Sequence, residues 1–172
     1  WRVEHAQVLK EDDIQLFNQK IIPSVQPTHA TSDMYWLYDR IGKERAKYAY
    51  AYKELFEKSN VIAFGTDFPV EDISPIMTFY SATVRKDKDG YPEDGFQTEN
   101  IMNRADALQA MTIFGAYANF EEEEKGSIEL GKDADFIILD NDIIRSSEAR
   151  IPNTNVVATF INGELVFNRR YN

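Results

Sequence analysis

The chain has 172 residues, 43% of them hydrophobic, with a formal net charge of −10 and a pI near 4.7; this is room for one domain or two small ones with a core. The acidity argues against nucleic acid and against an anionic membrane surface as partners, since both select basic patches, and no apolar run reaches the ~18–20 residues of a membrane span. The absence of cysteine excludes disulfides and thiolate metal sites.

Trp1 to Glu4 read as the end of a strand leading into His5-Ala6-Gln7. The chain opens inside this strand without a methionine, so it is expected to be the C-terminal piece of a longer protein. Any targeting signal is then expected upstream of Trp1; the compartment stays open, with the cytoplasm favoured. Glu11-Asp12-Asp13 opens a helix with acidic residues at its positive end, and Ile14, Leu16, Phe17 and Ile21 form its buried side. Residues 21–27 are a second extended run, followed by His29. The two histidines thus stand about one βα unit apart. Thr31 or Ser32 is expected to cap the next turn, ahead of Asp33 and Trp36. A helix-rich stretch spans 44–58, within which the alternation over Tyr48, Tyr50 and Tyr52 allows a very short strand.

Residues 61–64 form a short apolar run that stops at Gly65-Thr66-Asp67 and is closed by Pro69. That pattern suits a strand buried on both faces. Asp67 then stands at its C-terminal end, where α/β folds gather ligands and catalytic groups. A helix is expected over 74–84, with Pro75 in its first turn, and a loop over 86–95. A long helix is expected from Asn103 to Phe120, with Ala105, Leu108, Met111, Thr112 and Gly115 along one side. The character changes near residue 125. Phe136–Asp140 reads as a strand, and two further strands flank Asn162-Gly163, a strong hairpin signal. The expected division is an α/β part over 1–125 and a small all-β part over 126–172.

Both histidines and Asp67 follow short apolar runs. If those runs are parallel strands of one sheet, the three side chains emerge at one face. Two imidazoles and a carboxylate suit a divalent metal, Zn²⁺ first. Such a metal acidifies water to a pKa of about 7, and Asp67 can take the proton as general base. Spacing alone equally allows structural histidines and an Asp67 that merely caps a turn.

The motifs Val3-Glu4-His5-Ala6-Gln7, Gln26-Pro27-Thr28-His29 and Gly65-Thr66-Asp67-Phe68-Pro69 together resemble the amidohydrolase superfamily. More narrowly they resemble its family 3 branch, of the N-substituted formamide deformylase type. Asp33, Trp36 and residues 40–45 agree, as do residues 125–136, Asp140 and residues 162–167, so the resemblance covers essentially the whole chain. It implies a (β/α)₈ barrel with a small β-sandwich. His5 would follow barrel strand five, His29 strand six and Asp67 strand eight. The histidines would be metal ligands, Asp67 both a ligand and the water-activating base, and residues from 126 the C-terminal share of the sandwich. The expected activity is hydrolysis of an amide-type C–N bond in a small molecule.

The family's His-x-His motif and its strand-four ligand have no counterpart here. The chain is therefore expected to hold half a barrel and part of the ligand set. Half a barrel leaves an open sheet edge and an apolar face. Alone, it is expected to bind metal weakly or not at all, to lack activity, and to self-associate or pair with the missing N-terminal half. Trp36, Tyr50 and Tyr52 are candidate substrate-pocket walls, with ordinary packing as the competing reading. Two rival functions remain open: a non-catalytic structural or assembly module, and a metal-free α/β protein.

Overall fold

The structure, a computed structural model, describes residues 1–169; the last three residues of the expected all-β part lie outside them. The fold is α/β. Three short strands, β1 (Arg2–Glu4), β2 (Ile22–Val25) and β3 (Ala63–Phe64), form a parallel sheet in that order, with Glu4 opposite Ser24 and Ser24 opposite Ala63. Between β1 and β2 lies α1 (Glu11–Ile14). Between β2 and β3 lie α2 (Pro27–Asp33), α3 (Leu37–Ala46), kinked at Gly42, and α4 (Tyr52–Ser59). Then come α5 (Pro75–Val84), α6 (Arg104–Met111) and α7 (Ile113–Ala118).

Ile14, Val25, Leu37, Leu55, Ile62 and Phe79 are buried in one core that joins this sheet to its helices. Each such side chain contributes about 1.5–3 kcal/mol by leaving water. β2 supplies Ile22, Pro23 and Val25 to the interior, as expected of a parallel strand covered on both faces.

Several local expectations change. The first helix is a single turn, so Ile14 and Phe17 are buried while Leu16 stays 64% exposed. Thr31 and Ser32 do not cap a helix. They lie inside α2 and donate back to the carbonyls of Thr28 and His29. The 48–52 run makes no strand, only one antiparallel bridge between Ala49 and Val8. Among the described residues no strand stands between β2 and β3, so the strand-six and strand-eight numbering does not carry over to this sheet.

The long helix divides at Thr112 (φ −126°, ψ −97°). The Thr112 hydroxyl donates to the Leu108 carbonyl at 2.8 Å, a local bond that competes with the helix ladder. The loop at Gly126 packs closely beside the break: a Cβ there would meet the Ala116 Cβ at 2.8 Å and the Ile113 Cα at 2.9 Å. The buried side is Ala107, Ala110, Ala116 and Ala118, while Leu108 faces outward.

A second, antiparallel sheet follows, of β4 (Phe136–Leu139), β5 (Val156–Ile161) and β6 (Glu164–Asn168). Phe136 and Phe160 are paired across it with rings stacked 4.5 Å apart. Its hairpin turns on Asn162 (φ 50°) and Gly163 (φ 79°), the mirror-image turn whose twist fits the two strands. Among the described residues no helix is long and apolar enough to cross a membrane.

Candidate metal centre

His5 comes immediately after β1, and Asp67 three residues after β3. Both have left-handed backbones, with φ of 65° and 59°. That conformation costs a non-glycine residue about 1–2 kcal/mol. His29 is not at a strand end. Pro27 starts α2 directly after the extended Gln26, which places His29 in the first helical turn. From these positions the three side chains converge, each offering one ligand atom within 4.8 Å of the others. His5 is exposed, Asp67 half-buried and His29 buried.

His29 Nε2 lies 3.6 Å from Asp67 Oδ2 and 3.9 Å from Glu71 Oε1. Both distances exceed hydrogen-bond range, and Nε2 is buried without any hydrogen-bond partner. Glu71 is held by the Ser32 hydroxyl, which donates to it at 2.6 Å. A buried, unpartnered imidazole nitrogen facing two carboxylates is the donor set a divalent cation needs. The residues present therefore fit such a metal.

The other ring nitrogens are also engaged, in a crossed pattern. His5 Nδ1 lies 2.9 Å from Gln26 Oε1, and His29 Nδ1 lies 3.3 Å from Gln7 Oε1. Each glutamine thus serves the histidine of the other strand. The two rings stack with centroids 5.9 Å apart. Gln7 Nε2 in turn donates to Asp33 Oδ2 and to the Tyr50 hydroxyl, each at 2.9 Å, and that hydroxyl donates to Asp33 at 2.5 Å. Burial first, then the bond to Asp33, pushes the Tyr50 hydroxyl well above its ordinary pKa; Gln7 acts in the opposite direction.

The pocket expectation changes for two residues. Tyr50 and Tyr52 are 0% and 1% exposed. Tyr50 is tied into the network below His29, and the Tyr52 hydroxyl donates to the Gln26 carbonyl at 3.1 Å. They support the centre from beneath and offer no wall to an incoming molecule. Trp36 is 43% exposed at the start of α3. Gln7, Gln26 and Glu71 were not expected at the centre. The signals were His-x-Gln at 5–7, Gln-x-x-His at 26–29, and an acid four residues beyond Asp67.

Two imidazoles and a carboxylate, brought together just beyond β1, β2 and β3, form the class of donor set that suits a divalent metal. Comparison with known proteins narrows the class: a family model described as the amidohydrolase family matches residues 2–167. The chain belongs to the amidohydrolase family, in its family 3 branch. It is 31% identical over 169 residues to the YtcJ protein of Bacillus subtilis (strain 168), covering 98% of this chain and 32% of that protein. It is 28% identical over 108 residues to the N-substituted formamide deformylase of Arthrobacter pascens, covering 63% of this chain and 19% of that enzyme. An uncharacterized metal-dependent hydrolase of Pyrococcus horikoshii OT3 superposes with a TM-score of 0.73 at 32% identity, covering 86% of this chain and 30% of that one. The chain thus spans about a third or less of the length of these relatives.

Proposed function

We propose that this chain is the C-terminal share of an amidohydrolase that cleaves an amide-type C–N bond in a small molecule. Residues 1–125 would supply half of a barrel, and residues 126–172 part of a small β-sandwich. The observation that carries this reading is the convergence of His5, His29 and Asp67 within 4.8 Å. These three residues would hold the metal. Two nitrogens and an oxygen favour Zn²⁺. When bound, the metal supplies Lewis acidity toward a carbonyl oxygen and toward water.

The chain's own residues do the rest. His29 and His5 present one ring nitrogen each and keep the other on a glutamine. Asp67, half open to solvent, takes the proton of the attacking water as general base and can return it to the leaving nitrogen. Nucleic acid and membranes are not among the expected partners. The 172 residues alone bind metal weakly and self-associate or pair with an N-terminal half that brings the remaining ligands.

The test is Asp67→Asn in the full-length enzyme. Loss of a general base lowers the rate about 10²–10⁴-fold; unchanged hydrolysis would refute the assignment. A non-catalytic module is the second reading, favoured by the exposure of His5 beside β1, an edge strand among the described residues. Hydrolysis by the parent protein that is abolished by chelation eliminates it.

A further inference from the structure

Asp33 lies outside the metal-binding set, yet its carboxylate dictates the arrangement beneath it. An ionised carboxylate only accepts hydrogen bonds. Asp33 Oδ2 accepts from the Tyr50 hydroxyl at 2.5 Å and from Gln7 Nε2 at 2.9 Å. The Gln7 amide nitrogen must therefore face Asp33, and its oxygen must face His29 Nδ1, at 3.3 Å. An amide oxygen cannot donate. Nδ1 therefore carries the hydrogen, and the lone pair of the neutral ring sits on Nε2. That atom is the buried one without a hydrogen-bond partner, facing Asp67 and Glu71. Reversing the Gln7 amide would set its oxygen against the Asp33 carboxylate, so the chain of bonds has one consistent polarity. Tyr50 is itself fixed: its carbonyl accepts from the buried Arg85 guanidinium at 3.4 Å, and its backbone N–H donates to the Gln7 carbonyl at 2.8 Å.

We propose that Asp33, Tyr50 and Gln7 form a positioning relay that holds His29 as its Nδ1–H tautomer and aims the Nε2 lone pair toward Asp67 and Glu71. The inference rests on the metal-centre reading for its purpose, though not for its geometry. Asp33 and Tyr50 lie outside the three converging ligand groups and reach His29 through Gln7. Partners of this kind commonly alter metal affinity roughly 10–100-fold when removed.

The test begins without metal. The chain has two histidines, so ¹⁵N-histidine labelling gives two rings, whose tautomers are read from long-range ¹⁵N–¹H correlations at about pH 8, above the ordinary histidine range. His29 is expected with a protonated Nδ1 and a bare Nε2. An Nε2–H tautomer or a doubly protonated ring in the native protein overturns the relay, and this measurement needs no variant to fold. Gln7→Leu removes the acceptor, and Asp33→Asn keeps the shape but lets the glutamine amide turn over. Both are expected to bring His29 to a mixture of tautomers, the second more weakly; unchanged tautomers in both overturn the proposal. Zinc titration followed on the same resonances is expected to show roughly tenfold or greater weakening in Gln7→Leu, and equal affinity counts against the relay. Hydrolysis by the full-length parent that survives chelation would instead sink the metal-centre reading, while the metal-free tautomers still decide the relay.

Discussion

Arg85 shows how much of the interior serves polar groups. Its guanidinium is buried. It donates to the Phe96 and Tyr50 carbonyls and to Gln97 Oε1, and stands over the rings of Tyr52 and Phe96. Burial lowers its pKa to about 10. Burial raises the hydroxyls of Tyr50 and Tyr52 far above 10.0. The signs then oppose each other. The unfolded chain releases its tyrosine protons first, so the tyrosine contribution is complete below pH 10.0 and lost as pH rises past it. The cost of burying the Arg85 charge eases over the same range. Two tyrosines outweigh one arginine, so the urea midpoint is expected to fall between about pH 9 and about pH 11. Tyr52→Phe should lose ~1 kcal/mol at neutral pH, from the bond to Gln26, and show a shallower alkaline fall. At this scale the sequence was legible for the three converging groups, because each lies just beyond an apolar run. Gln7, Gln26 and Glu71 were not, because each meets its partner from another strand or loop. The crossing of the two glutamines depends on the β1–β2 register, with Glu4 opposite Ser24, which spacing does not determine.

Among the elements, those with explicit punctuation were the readable ones. Ser74 caps α5, its hydroxyl accepting from the Met77 amide at 3.4 Å, with Pro75 in the first turn. Ser74→Ala is expected to cost about 1 kcal/mol, measured as a lower denaturation midpoint with unchanged slope. The hairpin at Asn162-Gly163 was equally plain, because both turn residues tolerate positive φ. The stretch from Asn103 to Phe120 read as one helix because nothing in its periodicity marks Thr112. The break coincides with a side-chain bond from Thr112 to the Leu108 carbonyl and with the close approach of Gly126, in a loop further down the chain, which periodicity does not reveal. The same stretch misled on its face: small alanines, rather than Leu108, turn inward and let the helices approach closely. His29 mimics a strand-end residue in the sequence because its helix starts directly on Pro27, without a loop between.

For the whole molecule, the parallel sheet is unpaired beyond β1 and beyond β3 among the described residues. Trp1, Phe68, Val70 and Ile73 expose 91%, 60%, 72% and 65% of their surfaces. Unpaired edges and exposed apolar side chains favour association. Light scattering of the isolated chain is expected to give a mass above the 19.9 kDa of one copy; a clean monomer counts against the half-barrel reading. The left-handed backbone at Asp67 carries a consequence for selection. Its carboxylate faces His29 Nε2 only beyond hydrogen-bond range, at 3.6 Å, whereas its carbonyl accepts from the Val70 amide whatever residue stands there. Asp67→Gly should therefore raise thermal stability by about 0.5–1 kcal/mol, seen as a higher melting temperature. Breeding this protein for heat tolerance, without a parallel screen for turnover, would drift toward erasing the aspartate proposed as its general base.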